Sequence, residues 1–391
     1  MKIAIFTERL KLGFGVDLVV HEQAKRLSKN HEVVVFAIEI DKTFVSDASY
    51  SVYSLHIPLS FNPIKQDLNS YMWYSVYEHL FDSFDVYIVH TPTFNAWIPR
   101  LSKKAPLFVY YYGNSPSYGY PFPKRYRKSI MDFMENNFYF NYATKIFTIS
   151  EYLKKQLPAK IREKTTVLYL GTDHISQRKK YDVVEAIKKF KRKYFIRDDE
   201  KLITYVGRLD YRNNPYKNTK ELLQLHDYFK KKYGSSIKFF AIGVPENNIE
   251  KFFFKRGINI IPNAPTEDLI SALRLSYVYI SPSKWEGFNL PLAEAQSVGT
   301  PVVCYKVAAH PEVVKDKKTG FLARSEREMR EYIEYLLKHP GIRKKMSNEC
   351  VIFAKNFTWE KNVEMVESEL QAHMQTTKKN PDNHSHRNGD V

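Results

Sequence analysis

Short apolar runs alternate with longer amphipathic segments along most of the chain, and this pattern predicts two successive α/β units. The first series of predicted strands is Ile3–Phe6, Glu32–Ala37, Val86–Val89, Leu107–Tyr111, Lys145–Ile149 and Val167–Tyr169. The second series is Leu202–Val206, Ile237–Ile242, Ile258–Ile261, Tyr277–Ile280 and Pro301–Cys304. Strands that are apolar throughout and separated by helices are typical of parallel sheets that are covered on both faces.

A strongly charged segment, Tyr181–Glu200, separates the two series, and we place the domain boundary there. The helical periodicity of Trp359–His373 predicts one further helix. The segment Thr376–Val391 is polar and interrupted by proline and glycine, which is typical of disorder. The predicted organisation is a first domain at 1–185, a second at 186–355, a terminal helix at 356–375 and a disordered tail at 376–391.

The charge balance points to an anionic partner. The chain has 60 Lys and Arg residues against 43 Asp and Glu residues, a formal net charge of +17. Phosphates, a membrane surface and nucleic acid would each complement this charge. The alternative is that the basic side chains are simply solvated.

Cysteine usage and hydropathy bound the compartment. Cys304 and Cys350 are too few for a disulfide framework, so we expect a reducing, cytoplasmic location. No apolar stretch reaches the roughly 18–20 residues that span a bilayer. The apolar run Ile3–Phe6 has the length of a strand and is too short for the core of a signal peptide.

The segment Ser281–Ala295 carries the most specific chemistry. It begins at the end of a predicted strand, turns at Gly287 and enters a predicted helix, with Glu286 before the helix and Glu294 within it. A loop that leads into a helix N-terminus offers unpaired N–H groups to an anion such as a diphosphate. Carboxylates accept strong hydrogen bonds from sugar hydroxyls. The alternative is a surface glutamate and a helix-dipole partner, each contributing a fraction of about 1 kcal/mol.

Motifs along both halves extend this signal. In the second half they are Tyr205-Val206-Gly207-Arg208-Leu209, Pro262-Asn263-Ala264-Pro265, Glu286-Gly287-Phe288-Asn289-Leu290, Glu294-Ala295, Gly299-Thr300-Pro301-Val302-Val303, Pro311-Glu312-Val313-Val314 and Thr319-Gly320-Phe321-Leu322. In the first half they are Gly13-Phe14-Gly15-Val16, His31-Glu32-Val33 and Gly171-Thr172-Asp173. Together they resemble the family-4 retaining glycosyltransferases of GT-B architecture. The resemblance implies an α/β fold of two Rossmann-like, doubly wound domains that face each other across a cleft, with a C-terminal helix crossing back to the N-terminal domain.

The resemblance implies a role for each part of the central motif. Glu286 would contact hydroxyls of the transferred sugar, and Glu294 would contact the ribose hydroxyls. Backbone N–H groups of Phe288, Asn289 and Leu290 would hold the distal phosphate.

The resemblance also implies cations for the leaving group. Arg208 and Lys217 would neutralise the diphosphate, with Arg212 as an alternative to Lys217. Gly15 would let the first loop approach the phosphates, because it has no Cβ. Asn263 lies where backbone atoms meet the base in the family.

The expected reaction is transfer, with retained configuration, from a UDP-, GDP- or ADP-sugar to a saccharide or lipid-linked acceptor. No Asp-x-Asp sequence occurs, so we predict that the site uses no metal and no other cofactor, with the departing phosphate assisting deprotonation of the acceptor. Two carboxylates would also fit a glycoside hydrolase, which leaves the double α/β pattern and the cation pair unexplained.

The chain departs from the family pattern at two positions. The family commonly carries a histidine after the N-domain strand that faces the donor sugar, where this chain has Tyr110-Tyr111-Tyr112-Gly113-Asn114. His90, after Val86–Val89, is a candidate to face the cleft, and a structural or acceptor-side role is the alternative. Asn289 replaces a glycine, and asparagine tolerates left-handed backbone better than most residues. The missing histidine leaves open a catalytically inactive relative that binds only nucleotide or sugar.

A basic and aromatic segment, Pro121–Lys128, is a candidate surface for an anionic membrane near a lipid-linked acceptor. The alternative is a solvated helix start. A nucleic-acid-binding protein would also explain the net charge, but the sequence contains no motif of a known nucleic-acid module. We therefore expect no nucleic-acid partner.

Overall fold

The computed structural model describes residues 1–60, 62–176, 183–209, 214–244 and 249–379. Within these ranges, the first half of the chain forms a parallel sheet of seven strands in the order β3-β2-β1-β4-β5-β6-β7. The strands are β1 (Lys2–Leu10), β2 (Glu32–Ile40), β3 (Ser51–Ser54), β4 (Val86–Val89), β5 (Leu107–Tyr111), β6 (Lys145–Thr148) and β7 (Thr165–Val167).

The second half of the described chain forms a parallel sheet of six strands in the order β10-β9-β8-β11-β12-β13. The strands are β8 (Lys201–Val206), β9 (Ile237–Gly243), β10 (Asn259–Pro262), β11 (Ser276–Ser281), β12 (Val302–Tyr305) and β13 (Gly320–Ala323). Two doubly wound α/β units are therefore confirmed.

Helices connect the strands of both sheets. Those of the first half are α1 (Gly15–Leu27), α2 (Pro63–Tyr77), α3 (Ile98–Leu101), α4 (Lys124–Met134), α5 (Phe140–Tyr142), α6 (Glu151–Gln156), α7 (Ala159–Glu163) and α8 (Asp173–Ser176). Those of the second half are α9 (Val183–Lys193), α10 (Thr219–Tyr233), α11 (Ile249–Arg256), α12 (Thr266–Leu275), α13 (Leu290–Ser297), α14 (His310–Val313), α15 (Glu326–Lys338), α16 (Pro340–Ala354) and α17 (Trp359–Lys379).

Burial explains which strands the sequence pattern predicts. Every residue of β4, β5 and β12 is buried, as expected for central strands with helices on both faces. The edge strand β3 is short and half exposed, so its apolar signal is weak and the pattern missed it. The pattern also missed the four-residue edge strand β13, and it placed β7 two residues too late.

Strand order determines where each sheet opens. The order reverses between β1 and β4 in the first sheet and between β8 and β11 in the second. Open α/β sheets bind ligands outside the carboxyl ends of the strands at such a switch point. The residues after β8 and β11 therefore lie at the crevice of the second sheet.

The two units contact each other across this crevice. Glu312, at the end of the second unit's α14, accepts hydrogen bonds from the backbone N–H groups of Glu151 (2.8 Å) and Tyr152 (2.7 Å) at the start of α6. A carboxylate at a helix N-terminus satisfies unpaired N–H groups and interacts favourably with the helix dipole.

The C-terminal helix α17 returns to the first unit, as predicted. Asn362 accepts a hydrogen bond from the Gln23 side chain (2.6 Å) and donates one to the Tyr169 carbonyl (2.9 Å). The helix continues to Lys379, so 376–379 are helical and differ from the predicted tail. Residues 380–391 lie outside the described part of the chain. None of the helices in the described ranges combines the length and the apolar character needed to cross a bilayer.

Candidate active site

Glu286 lies at the switch point of the second sheet, in the loop between β11 and α13. Its residue is 7% exposed, and its backbone carbonyl accepts a hydrogen bond from the Ala309 N–H (3.3 Å). The carboxylate Oε1 lies 2.8 Å from Lys217 Nζ. The structure therefore brings two of the predicted catalytic residues together as a largely buried ion pair.

A short 3₁₀ helix, Pro215–Lys217, carries Lys217 to this position. Its Tyr216 carbonyl accepts a hydrogen bond from the Lys284 N–H (2.8 Å), and the Asn218 side chain donates to the Pro282 carbonyl (3.1 Å). Burial opposes the charge on Lys217, but the adjacent Glu286 outweighs it and holds the pKa of the ammonium above its ordinary value. Lys217 is therefore a cation at neutral pH.

Arg208 follows β8 on the same side of the sheet. Its Nη1 donates to Asn214 Oδ1 at 3.3 Å, and its guanidinium carbon lies 5.6 Å from the centre of the Phe14 ring. Within the described residues, no carboxylate lies at ion-pair distance from Arg208. The alternative cation, Arg212, lies outside the described residues.

A second guanidinium, that of Arg9, lies against the same Phe14 ring from the first unit. Its central carbon is 4.3 Å from the ring centre, and Nη1 is 3.0 Å from Glu8 Oε1. Cations are attracted to the face of an aromatic ring. Phe14 thus lies near one arginine from each unit. Arg9 lies outside the family motifs, so the sequence alone does not reveal its position at the site.

The loop before α1 contacts the second unit. A Cβ at Gly15 would meet open space, and the role of Gly15 in the approach to phosphates stays a prediction. A Cβ at Gly13, which has a φ of +91°, would lie 3.6 Å from Asn263 Oδ1. Asn263 is exposed, so the predicted base-binding residue borders the loop from the other side of the crevice.

Asn289 precedes α13 with a left-handed φ of +68°. Its amide nitrogen donates to Ser281 Oγ (3.0 Å) and to His310 Nε2 (2.9 Å), while His310 Nδ1 donates to the Tyr305 carbonyl (2.7 Å). Burial lowers the pKa of His310, which agrees with a neutral ring that accepts from Asn289. The side-chain anchors give this asparagine a structural role that glycine cannot fill.

The neighbours of Asn289 present backbone to the crevice. The Phe288 side chain is 1% exposed and packs near Tyr169 and Phe357, and Leu290 is 7% exposed. Only their backbone groups are suited to a phosphate at the start of α13. The predicted role for these residues therefore stays a prediction about N–H groups.

Glu294 lies within α13 and is 4% exposed. Its Oε1 is 3.0 Å from Nε2 of His174, in α8. His174 Nδ1 is in turn 3.0 Å from the indole Nε1 of Trp359, the first residue of α17. His174 lies 120 residues before Glu294 in the chain, so no local sequence pattern reveals their contact.

Tyr112 lies in the stretch Tyr110–Asn114, which lacks the histidine common in the family. Its backbone carbonyl closely approaches Gly287, since a Cβ there would lie 2.6 Å from that oxygen. Its hydroxyl is 2.7 Å from Nδ1 of His90, whose ring stacks on Tyr110 at 4.2 Å. Burial lowers the pKa of His90 to about 3, so the ring is neutral. His90 therefore has the predicted alternative role, as a buried support for Tyr112.

A cleft of about 920 Å³ opens beside His174, between α1 and the start of α12. Leu12, Lys25, His174 and Thr266 are among its lining residues. Within the described part of the chain, no group of three His, Cys, Asp or Glu side chains is arranged to hold a metal ion. The cleft thus lies between the two units and beside His174, the hydrogen-bond partner of Glu294.

Comparison with known families identifies the class of protein. The model for group-1 glycosyl transferases matches residues 186–357, and the model for glycosyltransferase family 4 matches residues 15–175. Between them they account for most of the chain, which therefore belongs to the family-4 glycosyltransferases of GT-B fold. The recognition made from the motifs is confirmed, and sugar transfer is the activity of the class.

Individual relatives agree with this assignment. A trehalose synthase of Pyrococcus horikoshii is 27% identical over 303 residues, which cover 72% of this chain and 68% of the relative. A sucrose-phosphate synthase structure from Thermosynechococcus elongatus has a TM-score of 0.79 at 15% identity and covers 96% of this chain and 100% of its own. The Anabaena protein HepE, in complex with UDP and glucose, has a TM-score of 0.76 at 16% identity, covering 95% and 100%.

Asp17, in the first turn of α1 behind the crevice, generates a prediction about pH. Its residue is 1% exposed, its Oδ2 accepts from the Lys11 N–H (3.0 Å), and it lies 3.8 Å from Arg9 Nε. Burial raises the pKa of this carboxyl from 3.8 to about 7, although Arg9 opposes the rise. The folded state thus holds the proton to higher pH than the unfolded state, so stability is lost as pH rises from about 4 to about 7.

Replacing Asp17 with Asn removes this titration. We expect the free energy of unfolding of Asp17→Asn, relative to that of the unchanged protein, to rise by about 2–4 kcal/mol between pH 4 and pH 8. This range follows from about 1.4 kcal/mol per unit of pKa shift. Unfolding followed across this range measures the gain. Asp198→Asn, at a side chain that is 93% exposed, is the control and should give no such trend. The assignment would be contradicted if the difference in free energy of unfolding between Asp17→Asn and the unchanged protein did not change with pH.

Proposed function

We propose that this protein transfers a sugar, with retention of configuration, from a nucleoside-diphosphate sugar to a saccharide or lipid-linked acceptor. The observation that carries the proposal is the ion pair between Lys217 and Glu286, in the loop that leads into α13, with Arg208 hydrogen-bonded to Asn214 in the segment before Lys217. This arrangement combines a carboxylate for sugar hydroxyls with two cations and helix N–H groups for a diphosphate. Membership of the family supports the retaining course.

The cations account for the chemistry at the leaving group. Cleavage of the glycosidic bond develops negative charge on the departing diphosphate, and preorganised cations at that position stabilise the transition state. Arg208 and Lys217 supply two positive charges from the protein itself. We therefore propose that the reaction needs neither a metal ion nor an organic cofactor.

Binding of the donor would break the ion pair between Glu286 and Lys217 and give each residue a new partner. A sugar hydroxyl bound to Glu286 and a phosphate bound to Lys217 would replace the 2.8 Å contact between them. Each charged group then exchanges one partner for another and is not left buried alone, which would cost several kcal/mol.

The structures of related fold suggest which donor to test first. HepE has been solved with UDP and glucose and also with UDP-glucose, and the similar P. horikoshii protein is a trehalose synthase. These facts concern those proteins, and they support UDP-glucose as the first donor in a panel that includes GDP- and ADP-sugars.

Calorimetric titration with UDP, GDP and ADP in the presence of a chelator tests the donor site. We expect one nucleotide to bind preferentially and Arg208→Ala to weaken its binding by about 10–100-fold, because a hydrogen bond to a charged group contributes about 1.5–3 kcal/mol. Arg327→Ala, at a side chain that is 83% exposed on α15, is the matched control and should bind as the unchanged protein does.

The contrary result is equally informative. If the unchanged protein binds none of the three nucleotides, the proposed donor site is wrong and the chain is an inactive relative or binds a different anion. Binding that disappears with chelator would contradict metal independence.

We also propose that the protein works in the cytoplasm with its N-terminal domain on an anionic membrane. The residues that support this are exposed apolar side chains on α2 and around α4: Ile64, Leu68, Tyr71, Met72, Val76, Phe122, Tyr126 and Phe133. Those of α2 recur at helical spacing on one face. Exposed apolar patches of this kind mark interaction surfaces.

Basic residues on these helices favour an anionic membrane as the partner. Lys65 lies on α2, and Arg125 and Arg127 lie on α4 beside the exposed Tyr126. Each basic residue near an anionic leaflet contributes about 1 kcal/mol, while the rings enter the interface. A lipid-linked acceptor would then reach the crevice from that side.

Sedimentation with vesicles tests the membrane proposal. We expect binding to phosphatidylcholine vesicles that contain roughly 30 mol% phosphatidylglycerol, and little binding to vesicles of phosphatidylcholine alone. Phe122→Ser combined with Tyr126→Ser should reduce binding about 10-fold or more, since two interfacial rings are lost. Phe254→Ser is the control, because Phe254 is 81% exposed on α11 beside Lys255. The proposed surface would be contradicted if the double variant and Phe254→Ser lost vesicle binding equally, or if binding did not depend on the anionic lipid.

A further inference from the structure

Three residues from distant parts of the chain form one line of hydrogen bonds that ends at Glu294. Trp359 Nε1 lies 3.0 Å from His174 Nδ1, and His174 Nε2 lies 3.0 Å from Glu294 Oε1. His174 lies in α8, after the last strand of the first sheet, and Trp359 begins α17. The line thus connects the crossover helix with the second unit's α13.

The direction of these bonds follows from the chemistry of the donors. An indole Nε1 carries a hydrogen and can only donate, so His174 Nδ1 accepts. A neutral imidazole then has its hydrogen on Nε2, which donates to the carboxylate. Protonation of Nδ1 would set two N–H groups against each other. Trp359 therefore fixes the tautomer of His174 that donates to Glu294.

The backbone around His174 is held in place. Asp173 Oδ1 accepts from the Trp359 N–H (2.6 Å), and Asp173 Oδ2 accepts from Arg26 Nη2 (3.0 Å). The Thr172 N–H donates to the Phe357 carbonyl (3.0 Å). The imidazole is consequently aimed by the junction between α8 and α17 and has little freedom to turn.

One oxygen of Glu294 remains for another partner. Oε1 accepts from His174, whereas none of the hydrogen-bond donors within the described residues reaches Oε2. The side chains of His174 and Glu294 are 10% and 6% exposed, and His174 lines the cleft between α1 and α12. A carboxylate fixed through one oxygen presents the other in a defined direction.

We infer that His174 is a positioning residue for recognition of the donor ribose. His174, oriented by Trp359, holds Glu294 through Oε1 so that Oε2 accepts from a ribose hydroxyl of the nucleotide. The inference rests on the proposed function, and it makes the crossover helix part of the nucleotide site. A purely structural brace between the units would affect every nucleotide alike.

Binding of a nucleotide and its deoxy forms separates these two roles. The probes are UDP, GDP and ADP, together with the 2′-deoxy and 3′-deoxy forms of whichever binds. In the unchanged protein, loss of the recognised hydroxyl should weaken binding about 10-fold, because the hydroxyl donates to a charged group. The ratio of the affinities for the nucleotide and its deoxy form should fall to about 1–3-fold in His174→Phe, because Glu294 is no longer held in position.

Two further variants report on the line itself. Trp359→Phe removes the N–H that sets the tautomer and keeps an aromatic ring in the buried position, so the ratio should fall in the same direction even if His174→Phe folds poorly. His174→Gln keeps an N–H for Glu294 and should restore most of the ratio. Arg208→Ala is the control, and it should weaken the ribose and deoxy forms equally.

Two outcomes would overturn the inference. If His174→Phe and Trp359→Phe weaken both forms equally and leave the ratio unchanged, the line is only a brace, while the proposed function stands. If the unchanged protein binds no nucleotide, the proposed function fails and the inference fails with it.

Discussion

Burial of Glu286 is the constraint on which the site depends. A carboxylate that is 7% exposed loses most of its hydration, and such a loss costs several kcal/mol unless a cation or hydrogen bonds replace the water. Lys217 supplies the cation at 2.8 Å, and the segment that carries it is fastened to the Pro282 carbonyl through Asn218. The pair is thus a consequence of the loop packing, and it holds two opposite charges at the end of β11.

The same logic extends to the polar groups around the pair. Asn289 adopts left-handed backbone because Ser281 and His310 fix its amide, and Glu294 is held by His174. Buried polar groups in such chains are costly if one partner is lost. The polar groups around the pair are therefore held by hydrogen bonds from neighbouring residues, and one of these neighbours, His174, also lines the cleft of about 920 Å³.

The sequence was most informative where the site lies on one contiguous stretch. The segment from Ser281 to Ala295 encodes a strand end, a turn and a helix start, and parallel topology places that combination at the crevice. The family resemblance assigned separate roles to Glu286 and Lys217, and their contact at 2.8 Å is seen only in the structure. By contrast, His174 and Arg9 acquire their roles from contacts with residues far away in sequence, so no local pattern reveals them. Two edge strands, β3 and β13, were missed: β3 is mostly exposed and carries little hydrophobic signal, and β13 is buried but only four residues long.

The most direct test of the account is to separate nucleotide binding from sugar transfer with Glu286→Gln. The amide keeps the size of the side chain but lacks the charge that accepts sugar hydroxyls. The account predicts that this variant binds the nucleoside diphosphate within a few-fold of the unchanged protein, while release of nucleoside diphosphate from the sugar donor in the presence of acceptor falls by about 10²-fold or more. Glu331→Gln, on the exposed face of α15, should match the unchanged protein in both assays. Transfer by Glu286→Gln at the unchanged rate would contradict the central claim.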